Sequence, residues 1–448
     1  MTAVVALLLL IIVMVIGVPI PLSFMLSAAY ICMVNGTNPL MLFSYGYNVQ
    51  NTILLLTIPL FVLAGSIIDK GGIGEKLIEG LQRFSKGSRV ALGTTTVVAC
   101  AVFGAVSGSA SATTSCIGSI MTPRLKEHGY KSGHIGALLA SSGVLGIMIP
   151  PSILMILYAW GTGTSVLACF LATIVPGIIL IILISLVNAW IIHHDHAPDT
   201  PAAEKMLGDM LTDAQRKEAV KNIQDKNQEY KHGKSAIPAV LMPILLLGSI
   251  YGGVLTTTEG AAFSVLYSLI IGVVYYRKVD FKIFKKAMTQ AGETAGTIMV
   301  MLFTVSILSR LYMTENLPDL ILNALTSISS NRIILLLMIN LFMIIIGMLM
   351  DDCSGTTLCG PILMPVMAAL GVTPIHFAAI LSVNIGMGNV TPPTAPLLYL
   401  GGRVADAEVK DMLKPTFMLI GFAWLPTLIL TTFIPQLSLS LPTLFGYV

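Results

Sequence analysis

Two stretches, Gly146-Ile-Met-Ile-Pro-Pro-Ser152 and Gly388-Asn-Val-Thr-Pro-Pro-Thr394, each set a double proline inside apolar sequence, and they lie 242 positions apart. Proline has no amide hydrogen, and its ring displaces the carbonyl four residues back, so a helix running into either stretch must break or kink. Two prolines in a row are expected to free the carbonyls of Gly146 and Ile147 in the first stretch, and of Gly388 and Asn389 in the second. In hydrocarbon a freed carbonyl is costly unless it lines a cavity or holds an ion. A single Pro-Pro reads as a plain kink or helix boundary. Recurrence at a fixed offset favours a broken helix whose carbonyls coordinate Na⁺, a hard cation that takes oxygen ligands.

The offset extends outward from the prolines. Pro123 and Pro365, and Gly129 and Gly371, are also 242 apart. The chain has 40 Gly and 23 Pro among 448 residues, so roughly 1% of aligned positions would pair by chance. Upstream, residues 73–81 echo residues 317–325 at an offset of 244. Long repeats in a helical membrane chain point to the pseudo-symmetric transporter architectures.

Composition supplies the membrane. Hydrophobic residues make up 55% of the chain and charged ones 10%, with a mean hydropathy of +0.87. A soluble protein of this size could not hide that much apolar surface. Apolar runs near 3–34, 53–68, 90–111, 135–192, 236–276, 287–313, 332–350, 375–400 and 412–436 suit spans of about 20 helical residues each. They lack the alternation of barrel strands, so helices are expected.

Charge orients the repeats. The segment Pro-Arg-Leu-Lys-Glu-His-Gly-Tyr-Lys-Ser-Gly-His (123–134) carries Arg124, Lys126 and Lys131, and its partner (365–376) has Val366, Ala368 and Thr373 at those positions. One copy reads as cytoplasmic and the other does not, as expected of inverted-topology repeats under the positive-inside rule. Residues 193–235 hold seven Lys/Arg and eight Asp/Glu. They read as a charged cytoplasmic linker with a short amphipathic helix near Ala214–Tyr230. Basic loops at 83–89 and 277–286 are further cytoplasmic candidates. The expected organisation is a first inverted repeat at 1–192, the linker at 193–235 and a second repeat at 236–448. The fold class is all-α integral membrane: a polytopic bundle with one re-entrant hairpin and one broken helix per repeat.

Several function classes are excluded. No basic arm interleaved with aromatics supports nucleic-acid binding. No Gly-x₄-Gly-Lys-Ser/Thr loop supports nucleotide hydrolysis. No nucleophile–base pair or metal set supports an enzyme. The six cysteines form no Cys-x-x-Cys pair and read as small core residues. The first basic residue is Lys70, so the first segment lacks the positive start of a signal peptide and is expected to be a retained helix. A channel suits inverted repeats with broken helices less well than alternating access does.

Each broken helix has a polar partner earlier in its repeat. In the first it is Ser107-Gly-Ser109-Ala-Ser111, followed by Thr113, Thr114 and Ser115. In the second it is Gly347-Met-Leu-Met-Asp351-Asp352, then Ser354-Gly-Thr-Thr357. Small hydroxyl residues also serve plain helix packing. An Asp at mid-bilayer costs about 2.5–3.5 kcal/mol on insertion scales and is a functional candidate by default, unless it sits at the interface and caps the next helix. Arg310 closes an apolar run. It either snorkels or faces a cavity, paired with an anionic substrate or with Asp351 or Asp352. Glu259, in Thr256-Thr-Thr-Glu-Gly260, reads as a structural cap.

The Ser-Gly-Ser-Ala-Ser-Ala run, the Pro123-to-Tyr130 step, the block from Gly146 to Ser165 and the later Gly-Met-Leu-Met-Asp-Asp and Thr-Pro-Pro-Thr-Ala-Pro blocks resemble the large membrane subunit of tripartite ATP-independent periplasmic (TRAP) transporters. The resemblance covers nearly the whole chain apart from 193–235. It implies an elevator-type secondary carrier of the bacterial inner membrane, taking up a small organic acid such as sialic acid, a C4-dicarboxylate, a sugar acid or a sulfonate. It implies no cofactor, with Na⁺ as coupling ion. One Na⁺ site would involve Ser107, Ser109, Gly146, Ile149 and Pro150, and the other Gly347, Thr391 and Thr394. Substrate would lie between them, with Arg310, Asp351, Asp352 and Ser152 as neighbours. The implied partners are a small four-helix membrane subunit, here expected as a separate chain, and a periplasmic substrate-binding protein. The alternative is a stand-alone carrier of the dicarboxylate:sodium type.

Overall fold

The computed structural model describes residues 2–82, 88–194 and 235–447. The expected amphipathic helix near 214–230 and residues 83–87 of a basic loop lie outside them. Among the described residues the chain is helical, with no strand. Seven helices there are long and apolar enough to cross a membrane, and the bent pair Ser132–Met148 and Ile153–Thr162 makes up to eight.

Two hairpins organise the middle of each half. The first pairs Arg89–Ser107 with Ala110–Glu127, and the second pairs Arg332–Leu349 with Asp352–Ala369. The return arms begin and end at positions 242 apart, and both are 18 residues long. Each return arm is followed by a glycine at positive φ, Gly129 at 76° and Gly371 at 74°. L side chains rarely adopt that conformation, and so the repeat retains glycine there. An arginine closes each base. Arg89 donates from Nε to the His128 carbonyl at 2.9 Å, and Arg332 from Nε to the Leu370 carbonyl at 2.7 Å.

The double prolines break helices as the sequence predicts. Helix Ser132–Gly143 and the turn Leu145–Met148 give way to Ile153–Thr162 with a 46° bend. In the second half, Pro374–Val390 gives way to Pro396–Ala405. Both Pro-Pro bonds are cis. Every residue from Gly133 to Gly143 and from His376 to Val390 is buried. Helices apolar all round belong at the centre of a bundle.

The two halves interlock. Ile153–Thr162, from the first half, packs on the return arm Asp352–Ala369 of the second hairpin, and Pro396–Ala405 packs on the return arm Ala110–Glu127 of the first. Matching glycines make room at both crossings. A Cβ on Gly118 would lie 2.6 Å from Val404, and one on Gly360 would lie 3.3 Å from Tyr158. The Tyr158 hydroxyl also donates to the Pro374 carbonyl at 2.7 Å.

Outside this centre, helices Thr2–Val15, Ile20–Asn35, Ile237–Tyr251 and Thr257–Leu269 carry exposed apolar side chains, among them Leu8, Ile12, Met33, Ile244 and Leu266. That surface suits lipid. The 34-residue helix Phe281–Thr314 runs past the second hairpin and packs on both Thr57–Lys70 and Asp352–Ala369. Glu259 forms the expected cap, a reciprocal box in which its carboxylate accepts from the Thr256 amide at 2.8 Å. All six cysteines are buried.

Candidate functional site

Each hairpin tip is a helix end followed by a helix start. In the first, Gly108 turns the chain at φ 62° and Ser109 caps the return arm, its hydroxyl accepting from the Ala112 amide at 3.4 Å. The Ser107 hydroxyl lies 3.1 Å from that of Thr113, which donates to the Ser109 carbonyl at 2.7 Å. Gly146 of the broken helix fits against this knot: a Cβ there would stand 2.4 Å from Thr113 Oγ1 and 2.7 Å from the Ser109 carbonyl oxygen. The structure thus brings Ser107, Ser109 and Gly146 together, and it adds Thr113. Ile149 and Pro150 complete the break. The Ile153 amide just beyond donates to the Gly108 carbonyl at 3.3 Å, tying tip to broken helix.

The second tip repeats the plan with different chemistry. A Cβ on Gly388 would lie 2.6 Å from the Cα of Gly347. The Thr394 hydroxyl donates to the Met348 carbonyl, and that of Thr391 donates to the Met387 carbonyl at 2.6 Å. Gly347, Thr391 and Thr394 therefore gather where the second broken helix crosses its hairpin.

Two of the four carbonyls expected to be free are engaged. Ile147 accepts from the Ser152 hydroxyl, and Gly388 accepts from the Thr391 amide at 3.0 Å. The first repeat supplies its donor just after the double proline and the second just before it, which the prolines alone do not reveal.

The tips meet across a cavity of about 360 Å³, a volume suited to a small ligand. The first hairpin lines it with Ser107, Gly108, Ser109, Ser111 and Ser115, and the second with Asp351, Asp352 and Cys353. Asp69 from helix Thr57–Lys70, and Gln290 and Thr294 from Phe281–Thr314, close the wall. Sequence reading missed these last three, because nothing local marks them: they join the site only through packing of distant helices. Asp351 is at once a cap and a wall. Its carboxylate accepts from the Cys353 amide at 3.1 Å and from the Ser354 hydroxyl.

Two of the residues expected beside substrate do not line this cavity. Arg310 is exposed, its guanidinium 5.5 Å from the centroid of the Tyr45 ring, and does not line the cavity. Ser152 is fully buried and caps Ile153–Thr162. Among the described residues, no Lys or Arg lines the cavity.

Known proteins resemble this chain over most of its length. The family described as "Tripartite ATP-independent periplasmic transporter, DctM component" matches residues 7–437. The C4-dicarboxylate TRAP transporter large permease DctM of Pseudomonas aeruginosa is 30% identical, over 88% of this chain and 87% of that protein. The sialic acid TRAP transporter large permease SiaM of Vibrio cholerae is 29% identical, over 88% of this chain and 87% of its own. Among solved structures, MtrF of Neisseria gonorrhoeae, from a class of antimetabolite efflux pumps, aligns with a TM-score of 0.57 at 15% identity, over 87% of this chain and 83% of that one. That likeness concerns the fold. A polytopic helical membrane protein with a family match across 7–437 is a transport component and not an enzyme, and the chain belongs to the DctM-component family of tripartite ATP-independent periplasmic transporters.

Proposed function

We propose that the chain is the large permease of a TRAP transporter that carries a small organic acid inward across the bacterial inner membrane, driven by Na⁺. The observation that carries this reading is the pair of hairpin tips. Each is oxygen-rich, each is crossed by a broken helix, and together they enclose the cavity between Ser107–Ser115 and Asp351–Cys353. Hydroxyls and carbonyls at helix breaks suit a hard monovalent cation, and hydroxyls and amides in the cavity suit a small polar cargo.

In this reading one Na⁺ binds around Ser107, Ser109 and the Gly146–Pro150 break, with the Thr113 hydroxyl as an added ligand. A second binds around Gly347, Thr391 and Thr394. The halves 1–192 and 236–448 are inverted repeats, supported by the reciprocal packing of each broken helix on the opposite hairpin. Hairpins and broken helices move together as an elevator against helices such as Thr57–Lys70 and Phe281–Thr314, and residues 193–235 lie in the cytoplasm. The named relatives carry a C4-dicarboxylate and sialic acid, which supports an organic acid as cargo. A small membrane subunit and a periplasmic binding protein complete the assembly.

The test is uptake by the purified complex in liposomes. A Na⁺ gradient should drive accumulation without ATP. Full-rate uptake with choline in place of Na⁺ would sink the coupling.

A further inference from the structure

A second cavity, of about 640 Å³, opens beside the base of the first hairpin, where the end of helix Val166–His194 meets the start of Val409–Leu419. Its lining is mixed: Lys131, Lys414 and His194 are basic, Asp411 is acidic, and Trp190 and Met418 are apolar. Lys414 is exposed and forms no ion pair among the described residues. Asp411 is held by its backbone, since a Cβ on Gly133 would stand 2.3 Å from its carbonyl oxygen. The two lysines outnumber it.

An apolar track runs from this cavity along the outside of the bundle. Ile178, Ile182, Leu186 and Trp190 recur every fourth residue on helix Val166–His194, and all four are exposed. That spacing sets them on one face. They span about 18 Å of helix, at 1.5 Å per residue, close to the roughly 15 Å of one leaflet's hydrocarbon. A second wall comes from residues 420–433, where Phe422, Leu425 and Ile429 are exposed. The walls meet at the top, where the rings of Trp190 and Phe422 lie 5.8 Å apart. The His194 ring is tied to the same corner, Nδ1 donating to the Trp190 carbonyl at 2.9 Å. Tryptophan favours the level of the headgroups, where one end of the ring is wet.

Exposed apolar side chains on a membrane protein show only that acyl chains touch them. Here the track ends in a basic cleft at headgroup level, and that combination is selective. We infer that the cleft binds an anionic phospholipid, its phosphate held by Lys414 and Lys131 and one acyl chain lying along 178–190 against Phe422. Ammonium-to-phosphate hydrogen bonds are charge-assisted and strong. A zwitterionic lipid brings its own cation to the same lysines and gains less. The inference is independent of the cargo cavity.

Trp190 is the reporter, because a brominated acyl chain quenches indole fluorescence at contact. The purified complex would be placed in phosphatidylcholine nanodiscs doped with brominated phosphatidylglycerol or with brominated phosphatidylcholine. The quenching that disappears in Trp190→Phe is the signal. Half-quenching should need about fivefold less brominated phosphatidylglycerol than brominated phosphatidylcholine. Lys414→Gln should remove most of that preference and Lys414→Arg should keep it, with both melting near the wild type. Lys410→Gln should also keep it, since Lys410 is paired with Glu408 and lies outside the cleft. Glycerol phosphate and inorganic phosphate in excess should not relieve the quenching, because neither has a chain to fill the track. Relief by either would make the cleft a phosphate site and overturn the lipid. Equal quenching by the two lipids, or an unchanged preference in Lys414→Gln, would reduce the lysine to one that merely reaches water. Quenching by neither would mean that protein covers the track, and the inference would fall.

Discussion

Ser109 and Asp351 hold the same post in the two halves of the chain: 242 positions apart, each is the N-cap of an 18-residue return arm and each faces the shared cavity. One offers a neutral hydroxyl and the other a carboxylate, so a symmetric scaffold encloses an asymmetric site. The cap and the charge can be separated by experiment.

Asp351→Ser keeps an oxygen able to accept from the Cys353 amide but removes the charge, while Asp351→Ala removes both. Loss of an N-cap costs about 1 kcal/mol. Thermal melts of the purified protein should therefore show Asp351→Ala less stable and Asp351→Ser close to the wild type. Both variants should transport poorly. Normal uptake by Asp351→Ser would reduce the residue to a cap.

The crossing of Gly347 and Gly388 leaves no space for a methyl group. Gly388→Ala would put its Cβ 2.6 Å from backbone atoms of Gly347, and overpacking of this kind costs about 1–3 kcal/mol. Gly292→Ala is the matched control, since its Cβ meets nothing within 4 Å. A lowered melting temperature for the first and an unchanged or raised one for the second is the expected pattern.

Arg310 stacks on Tyr45 at the surface, and a lysine can keep that contact. Arg310→Lys is expected to retain most uptake, and Arg310→Ala to lose about 0.5–1 kcal/mol of stability through the vacated ring face. Collapse of transport in Arg310→Lys at normal expression would return the residue to the cargo path.

Sidedness follows from the bases of the two hairpins. Lys131 and Lys414 line one cavity at the first base, whereas the second base has Arg332 near Gly371. Single cysteines at His128 and Leu370, in a background without the native ones, should label oppositely with an impermeant thiol reagent. Position 370 should react from outside and position 128 should not. Equal labelling in sealed vesicles would refute inverted topology.

The parts of the fold that could be read from sequence are those where chemistry leaves one residue type available. Pro150, Pro151, Pro392 and Pro393 mark breaks because no other residue lacks the amide hydrogen, and Gly129 and Gly371 mark the ends of the return arms because φ is positive there. Ser107, Ser109 and Gly146 were grouped through the resemblance to TRAP large subunits, on the polar run and the helix break that carry it, and the structure brings the three together. Asp69, Gln290 and Thr294 were not legible, since a polar residue near the end of an apolar helix looks the same whether it meets water, headgroups or a cavity. Arg310 shows the converse: it closes an apolar run, which reads the same whether the side chain snorkels or faces a cavity, and the structure places it over Tyr45.

The reciprocal packing of Ile153–Thr162 on Asp352–Ala369, and of Pro396–Ala405 on Ala110–Glu127, bears on how the chain is made. When the ribosome has delivered the first half, the arm after its proline break still lacks the surface it will rest on. Its first hairpin waits likewise for a helix almost three hundred residues downstream of its tip. Neither half can finish alone, so the nascent protein must hold two unfinished ends in the bilayer until the last quarter of the sequence arrives and closes both at once.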